Sequence, residues 1–189
     1  MIKEEAKTRV LILAATPDDQ GRIRPDREVM VLRERMAAMP SQKRPLTFDS
    51  IYATRLDQIQ QELVRQRPTI LHFSGHGDTG VLLFETEGGQ TALLEADLLA
   101  RVLKAYRDIE CLVLHACYAE EVARACLPYV SCVIGSTDTV DDVTAPRFSY
   151  LFYQSLAAGM GYEQAFEMGT TEVAFENRAA ADAYKLLVR

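Results

Sequence analysis

Two stretches of this chain say most about its fold: Ile70–Gly77, which reads ILHFSGHG, and Cys111–Tyr118, which reads CLVLHACY. Each stretch begins with an apolar run of strand length and ends at small residues beside a reactive side chain, His76 in the first and Cys117 in the second. If two such strands lie side by side in a parallel sheet, both side chains emerge at the carboxyl edge, where open α/β sheets carry their sites. A thiol and an imidazole brought together there make a nucleophile and its base.

Around these two stretches, apolar strand-like segments alternate with amphipathic helical segments. We predict strands at 9–15, 46–53, 69–74, 111–116 and 130–135, a small β-hairpin built on 81–85 and the glycine pair 88–89, and three closing helices at 145–158, 162–175 and 179–187. This alternation is typical of an α/β sandwich around a mainly parallel sheet. Because no repeat or interdomain linker interrupts it, we expect residues 1–189 to form a single domain.

Composition narrows the classes of function. The chain has 189 residues, of which 48% are hydrophobic and 25% charged, with a net charge of −6, and this balance argues against nucleic acid as the main partner. No apolar run reaches the roughly 18 residues of a membrane span, and the charged start Met1–Lys7 does not read as a signal peptide. We therefore expect no membrane partner. None of the four cysteines forms a CxxC pair, so we expect free thiols, and these together with the lack of a secretion signal indicate a reducing cytoplasm.

The four cysteines differ in their surroundings. Cys111 and Cys132 lie in or beside apolar strand-like runs, and Cys126 lies on the apolar face of a helical segment, so packing explains all three. Cys117 alone follows a strand and precedes a polar, acidic turn. It is the cysteine whose position favours chemistry.

The segment His72–Gly77 followed by Leu112–Tyr118 resembles the caspase-like CHAT domains of bacteria. The resemblance continues at Leu13–Pro17 and Arg24–Val29 and, in the last third of the chain, at Ile134, Gly135, Asp138, Phe148, Phe152, Tyr153, Leu156, Gly159, Ala165 and Phe166. It implies a caspase-like three-layer α/β/α sandwich and a cysteine endopeptidase of bacterial defence systems. It also implies a protein substrate, a regulatory or sensor protein acting in trans, and no cofactor.

In this interpretation Cys117 is the nucleophile and His76 is the general base, which later protonates the leaving amine. The two residues lie 41 positions apart, similar to the roughly 50 of caspases. By the same resemblance, the backbone N–H groups of Gly77 and Cys117 form the oxyanion hole.

The other two histidines have alternative interpretations. His72 lies within a strand, where a core histidine satisfied by a neighbour is the simplest interpretation. His115 stands where the family commonly has Asn and some metacaspase relatives have Asp. Strand alternation puts it on the same face as Cys117, so it either lines the substrate pocket or packs structurally. The close ligand pairs of a structural zinc site are missing, so we predict no metal.

An acidic loop follows the fifth predicted strand and contains Asp138, Asp141 and Asp142. In caspase-like folds this loop contributes to the pocket for the residue before the cut, so the carboxylates would favour Arg or Lys there. The alternative is a solvated loop in which one aspartate caps the next helix.

Two other classes of protein compete with an active peptidase. A catalytically silent caspase-like adaptor or scaffold module would keep the fold but would not need Cys117 and His76. A nucleotide-binding α/β protein is disfavoured, because the loop Thr16–Pro25 has one glycine and no phosphate-cradling pattern.

Overall fold

The computed structural model describes residues 8–39 and 42–189. Within these ranges, two sheets and seven α-helices form in the order β1 (Thr8–Ala15), α1 (Pro25–Ala37), β2 (Leu46–Ile51), α2 (Leu56–Gln66), β3 (Ile70–Gly75), β4 (Gly77–Asp78), β5 (Val81–Glu85), β6 (Thr91–Glu95), α3 (Ala96–Ala105), β7 (Cys111–His115), α4 (Glu120–Cys126), β8 (Cys132–Ser136), α5 (Thr144–Ala157), α6 (Tyr162–Ala174), α7 (Arg178–Ala183) and β9 (Tyr184–Val188). The predicted α/β class is therefore confirmed.

The main sheet has six strands in the order β2-β1-β3-β7-β8-β9, and every neighbouring pair except β8 and β9 is parallel. Its central strands are buried on both faces, which is why their sequences are nearly continuous apolar runs instead of alternating ones. A second sheet, β4-β5-β6, is antiparallel and contains the hairpin predicted after the histidine motif.

Helices cover both faces of the main sheet. On one face, α2, α3 and α4 pack on Leu11, Leu71 and Leu112, which are neighbours in register. On the other face, α1, α5, α6 and α7 pack on the alternate residues of the same strands, such as Ile70 and Cys111. The result is the predicted three-layer α/β/α sandwich.

Proline marks two element boundaries that the sequence predicts correctly. Pro25 stands in the first turn of α1, where its missing N–H has no intrahelical partner to lose. The helix α2 ends before Pro68, and its last cap residue, Arg67, takes a left-handed φ of 50°.

The C-terminal segment corrects one prediction. The helix expected at 179–187 ends at Ala183, and Tyr184–Val188 instead forms the antiparallel edge strand β9 against β8. The alanine-rich run Ala179–Ala183 favours a helix, but it does not specify the structure of the residues after it. The unpaired edge of β8 decides the rest, because its backbone groups gain hydrogen-bond partners from an added strand.

In the described part of the chain, no helix combines the length and the apolar character needed to cross a membrane.

Candidate active site

The site is placed by the ends of two adjacent central strands. The strands β3 and β7 are parallel neighbours, with Ser74 opposite His115 in the register. His76 follows β3 and Cys117 follows β7, each two residues beyond this last register pair. Both side chains line one cleft at the carboxyl edge of the sheet.

The backbone segments that carry His76 and Cys117 touch each other at Gly77. A Cβ atom added to Gly77 would lie 2.8 Å from the Ala116 Cβ and 2.8 Å from the Cys117 carbonyl oxygen. Any larger residue would therefore push the two segments apart. The need for glycine after His76 comes from this close approach.

The imidazole of His76 is anchored from the loop between β1 and α1. Its Nε2 lies 2.6 Å from the carbonyl oxygen of Gly21. Because a carbonyl oxygen only accepts hydrogen bonds, Nε2–H is the donor in the neutral ring, and Nδ1 keeps its lone pair. The ring is held by one nitrogen and can take up a proton at the other.

Cys117 is the only cysteine of the described chain that is partly exposed, since Cys111, Cys126 and Cys132 are buried. Burial raises the pKa of the Cys111 thiol well above its ordinary value and that of Cys126 to about 12, which keeps both protonated at neutral pH. Thiol chemistry at the surface is thus restricted to Cys117.

The residue after Cys117 has an unusual backbone conformation. Tyr118 has a φ of 51°, in the left-handed region that costs a residue with a side chain about 1 kcal/mol or more. Its amide donates a hydrogen bond to the carbonyl oxygen of Asp138 at 3.4 Å. The chain therefore turns sharply at the cysteine and is joined there to the loop after β8.

The three aspartates of that loop occupy different positions. Asp138 is exposed and is not among the residues lining the cleft, whereas Asp141 and Asp142 line it. Both of the latter carboxylates already have partners: Asp141 caps α5 by accepting from the amides of Val143 and Thr144, and Asp142 accepts from the amide of Arg24. Capping, the alternative interpretation of this loop, thus applies to Asp141.

His115 lines the cleft and is also buried, with only 3% of its surface exposed. Its Nδ1 lies 2.6 Å from the Glu28 carboxylate. His115 thus packs in the core and lines the cleft, and its place in a substrate pocket stays a prediction.

Glu28 is the residue of the site that sequence reasoning missed. It lies on α1, is 2% exposed, and its carboxylate contacts three residues besides His115, namely Ser74, Ser149 and His72. A signal was present in the sequence: Glu28 shares the helix face of Pro25, Val29 and Leu32, so its carboxylate interrupts an apolar stripe.

Burial and the neighbouring imidazoles act on the pKa of this carboxyl group in opposite directions. Desolvation raises the pKa of Glu28, but the neighbouring His115 and His72 imidazoles lower it by more, so the pKa lies well below its ordinary value. Burial lowers the pKa of His72, whose Nδ1 shares a hydrogen bond with the Tyr153 hydroxyl at 2.9 Å. His72 is thus the core histidine that its strand position predicted, and the neighbour Tyr153 satisfies one of its two ring nitrogens.

Among the described residues, Glu28, His72 and His115 are the group whose donor atoms lie close enough, within 4.8 Å, to suggest a metal site. The Glu28 oxygen and the His115 nitrogen are 2.6 Å apart, which is a hydrogen-bond distance. Two ligands about 2.0–2.1 Å from one tetrahedral ion lie roughly 3.3 Å apart. A hydrogen bond therefore accounts for the Glu28–His115 contact, whereas the buried Nε2 atoms of His72 and His115 have no hydrogen-bond partner among the described residues.

Comparison with known proteins agrees with the fold and the motifs. The family model for the CHAT domain matches residues 6–178, and the chain belongs to this family. No curated protein sequence matches the chain.

Several solved structures share the fold at low sequence identity. Caspase-1 from Spodoptera frugiperda is 11% identical, with a TM-score of 0.60 over 96% of this chain and 86% of the other. A secreted C11 cysteine protease from Bacteroides thetaiotaomicron, in complex with an irreversible peptide inhibitor, is 10% identical, with a TM-score of 0.59 over 87% of this chain and 58% of the other. Gingipain R, an Arg-specific cysteine proteinase, is 11% identical, with a TM-score of 0.62 over 96% of this chain and 47% of the other.

The chain thus spans about half the length of the C11 protease and of gingipain R. The fold is that of caspase-like cysteine peptidases.

Proposed function

We propose that this protein is a cysteine endopeptidase that cleaves protein substrates with Cys117 as nucleophile and His76 as general base and acid. The observation that carries the proposal is the contact at Gly77, which joins the His76 and Cys117 segments at the edge of one cleft. Membership of the CHAT family and the caspase-like fold support the same class.

The chemistry follows from the two side chains. His76 takes the thiol proton at Nδ1 while the Cys117 sulfur attacks the peptide carbonyl, and the protonated ring then gives that proton to the leaving amine. Water hydrolyses the resulting thioester with His76 again acting as base. We assign the oxyanion hole to the backbone N–H groups of Gly77 and Cys117, whose segments lie in contact.

The loop after β8 supports a preference for a basic residue on the amino side of the cut. Asp142 and Asp141 line the cleft, and Asp138 lies beside them on the exposed part of the loop. Carboxylates at that edge attract Arg or Lys and repel acidic residues. In the cell, we propose a bacterial defence role in the cytoplasm, with a regulatory or sensor protein controlling cleavage.

The test compares the wild-type protein with Cys117→Ala and His76→Ala on a mixed peptide library. We expect both variants to lose all measurable cleavage while keeping the wild-type melting temperature within a few degrees, because residues of one catalytic unit fail together. Cys126→Ala is the matched control, since that thiol is buried away from the cleft, and it should still cleave.

Labelling with an active-site-directed peptide electrophile provides a second measurement. The label should fall on Cys117 in wild type and be strongly reduced in His76→Ala. Cleavage that persists in Cys117→Ala would refute the assignment. A wild-type protein that neither cleaves peptides nor reacts with the electrophile would instead be the catalytically silent adaptor or scaffold.

A further inference from the structure

We propose that Glu28 is the positioning residue of the His76–Cys117 dyad, because its single carboxylate ties together the ends of the two strands that carry these residues. The proposal rests on the proposed peptidase function, and its test is chosen so that the two can fail separately.

The two strand ends contact the Glu28 carboxylate at equivalent positions. Ser74 lies two residues before His76, and its hydroxyl donates to Glu28 Oε2 at 2.6 Å. His115 lies two residues before Cys117, and its Nδ1 contacts Glu28 Oε1 at 2.6 Å. Ser74 and His115 are also direct partners in the parallel register, so each carboxylate oxygen holds one of two adjacent strands.

The same carboxylate also connects the helices that cover this edge. Glu28 belongs to α1, and it accepts a hydrogen bond from Ser149 of α5. In addition, the first turn of α1 is tied to the loop before α5 through the Arg24 amide and Asp142. Arg24 and Asp142, which line the cleft, are thus joined to each other, and Glu28 separately joins α1 and α5 to the two strand ends.

Burial makes each of these contacts costly to lose. Glu28, Ser74, His115 and Ser149 are each at most 5% exposed, so water does not replace a lost partner easily. The pKa of Glu28, which lies well below its ordinary value, agrees with a carboxylate that interacts with Ser74, His115 and Ser149 through hydrogen bonds. Hydrogen bonds to a charged acceptor are short and directional, which suits a positioning role.

The decisive variant is Glu28→Gln, which keeps the side-chain shape but turns one oxygen into a donor and removes the charge. We expect kcat to fall about 10–100-fold with KM nearly unchanged, as when a partner that orients a functional side chain is lost or a reacting group is misplaced by about 1 Å. Tyr153→Phe is the matched control. It removes a hydroxyl from the same buried network, at His72, without touching either strand end, so kcat should stay within about twofold.

Ser74 gives a second route if Glu28→Gln does not fold. Ser74→Ala should lower kcat by several-fold, and Ser74→Thr, which restores a hydroxyl, should recover most of the loss. If Glu28 and Ser74 have only a structural role, kcat should follow the melting temperature across the four variants Glu28→Gln, Tyr153→Phe, Ser74→Ala and Ser74→Thr. That pattern, or a wild-type kcat in folded Glu28→Gln, would overturn the proposal.

Wild-type behaviour separates this proposal from the proposed function. If wild type cleaves peptides and loses the activity in Cys117→Ala, the peptidase function stands, and the Glu28 and Ser74 variants decide the positioning role. If wild type cleaves nothing, the peptidase function fails and the positioning proposal falls with it.

Discussion

The two faces of the main sheet differ in what they bury. The face toward α2, α3 and α4, which we call the apolar face, is lined along β3 and β7 by Leu71, Phe73, Leu112 and Leu114. The face toward α1, α5, α6 and α7, which we call the polar face, starts equally apolar, at Ile70 and Cys111 on the same two strands.

Toward the carboxyl edge the polar face changes character. His72, Ser74 and His115 follow there at positions that are just as buried as their apolar counterparts, and Glu28 reaches them from α1. The alternation of the strands places His76 and Cys117 beyond the last residues of this same face. Both faces therefore supply packing energy, and the polar face also holds the buried polar side chains that precede His76 and Cys117.

The largest effect that we expect comes from the contact joining the two reactive segments. Gly77→Ala places a methyl group 2.8 Å from the Cys117 carbonyl oxygen, so the two segments must separate. A displacement of about 1 Å costs on the order of 100-fold in rate. Peptide cleavage by the folded variant measures this loss.

Gly88→Ala is the control for that experiment. Its added methyl group meets nothing nearer than 3.9 Å, and the residue lies in the hairpin turn away from the cleft. Its activity should equal that of wild type. Equal activity in both glycine variants would show that the contact at Gly77 does not set the geometry of the site.

A matched pair of leucines tests the division between the faces. Leu63 on α2 packs on the apolar face and Leu32 on α1 packs on the polar face, and both are essentially fully buried. Each Leu→Ala change should cost about 2–5 kcal/mol of unfolding free energy, measured by urea denaturation. Only Leu32→Ala should also lower the activity of the folded fraction, because Leu32 lies one turn from Glu28. A similar loss of activity in Leu63→Ala would contradict the division.

The polar face also predicts how stability depends on pH. Burial lowers the pKa of His72. The contribution of its neutral side chain to the unfolding free energy is therefore complete above about pH 6.5, and it is lost as the pH falls toward the folded-state pKa. Burial raises the pKa of Glu28, but the two histidines lower it by more. The contribution of its carboxylate to the unfolding free energy is therefore complete above about pH 4.5 and is lost on further acidification.

Unfolding free energy measured by denaturant titration should therefore decline in two steps as pH falls. Each step has a slope of at most about 1.4 kcal/mol per pH unit for one proton. His72→Gln should flatten the first step. A stability that stays constant from pH 7 to pH 5 in wild type would contradict this account of the buried histidine.

The smallest effect that we expect concerns substrate choice by the loop after β8, which lies at the carboxyl edge of the sheet. Asp138→Ala should weaken the preference for a basic residue only slightly, because that carboxylate is exposed and lies outside the cleft lining. Asp142→Asn should weaken it more, since Asp142 lines the cleft. Profiling both variants against the same peptide library measures the difference. A preference for apolar residues in wild type would show that these acids only cap and connect the loop.

Local sequence patterns are sufficient to identify the central strands, the helix boundaries at Pro25 and Pro68, and the candidate pair His76 and Cys117. These features can be read locally, because burial on both faces requires a continuous apolar run and a site at a strand end follows that run directly. The family resemblance rests on the same two segments together with shorter matches in the first and last thirds of the chain, and the family model confirms it.

Which distant residues meet at the site depends on how the layers pack. Gly21 reaches His76 across 55 positions, and Glu28 reaches Ser74 across 46 and His115 across 87. Packing also makes Tyr184–Val188 complete the sheet as a strand instead of extending a helix. No local pattern encodes these contacts, because a buried carboxylate, a loop carbonyl or an open strand edge finds its partner only when the layers come together.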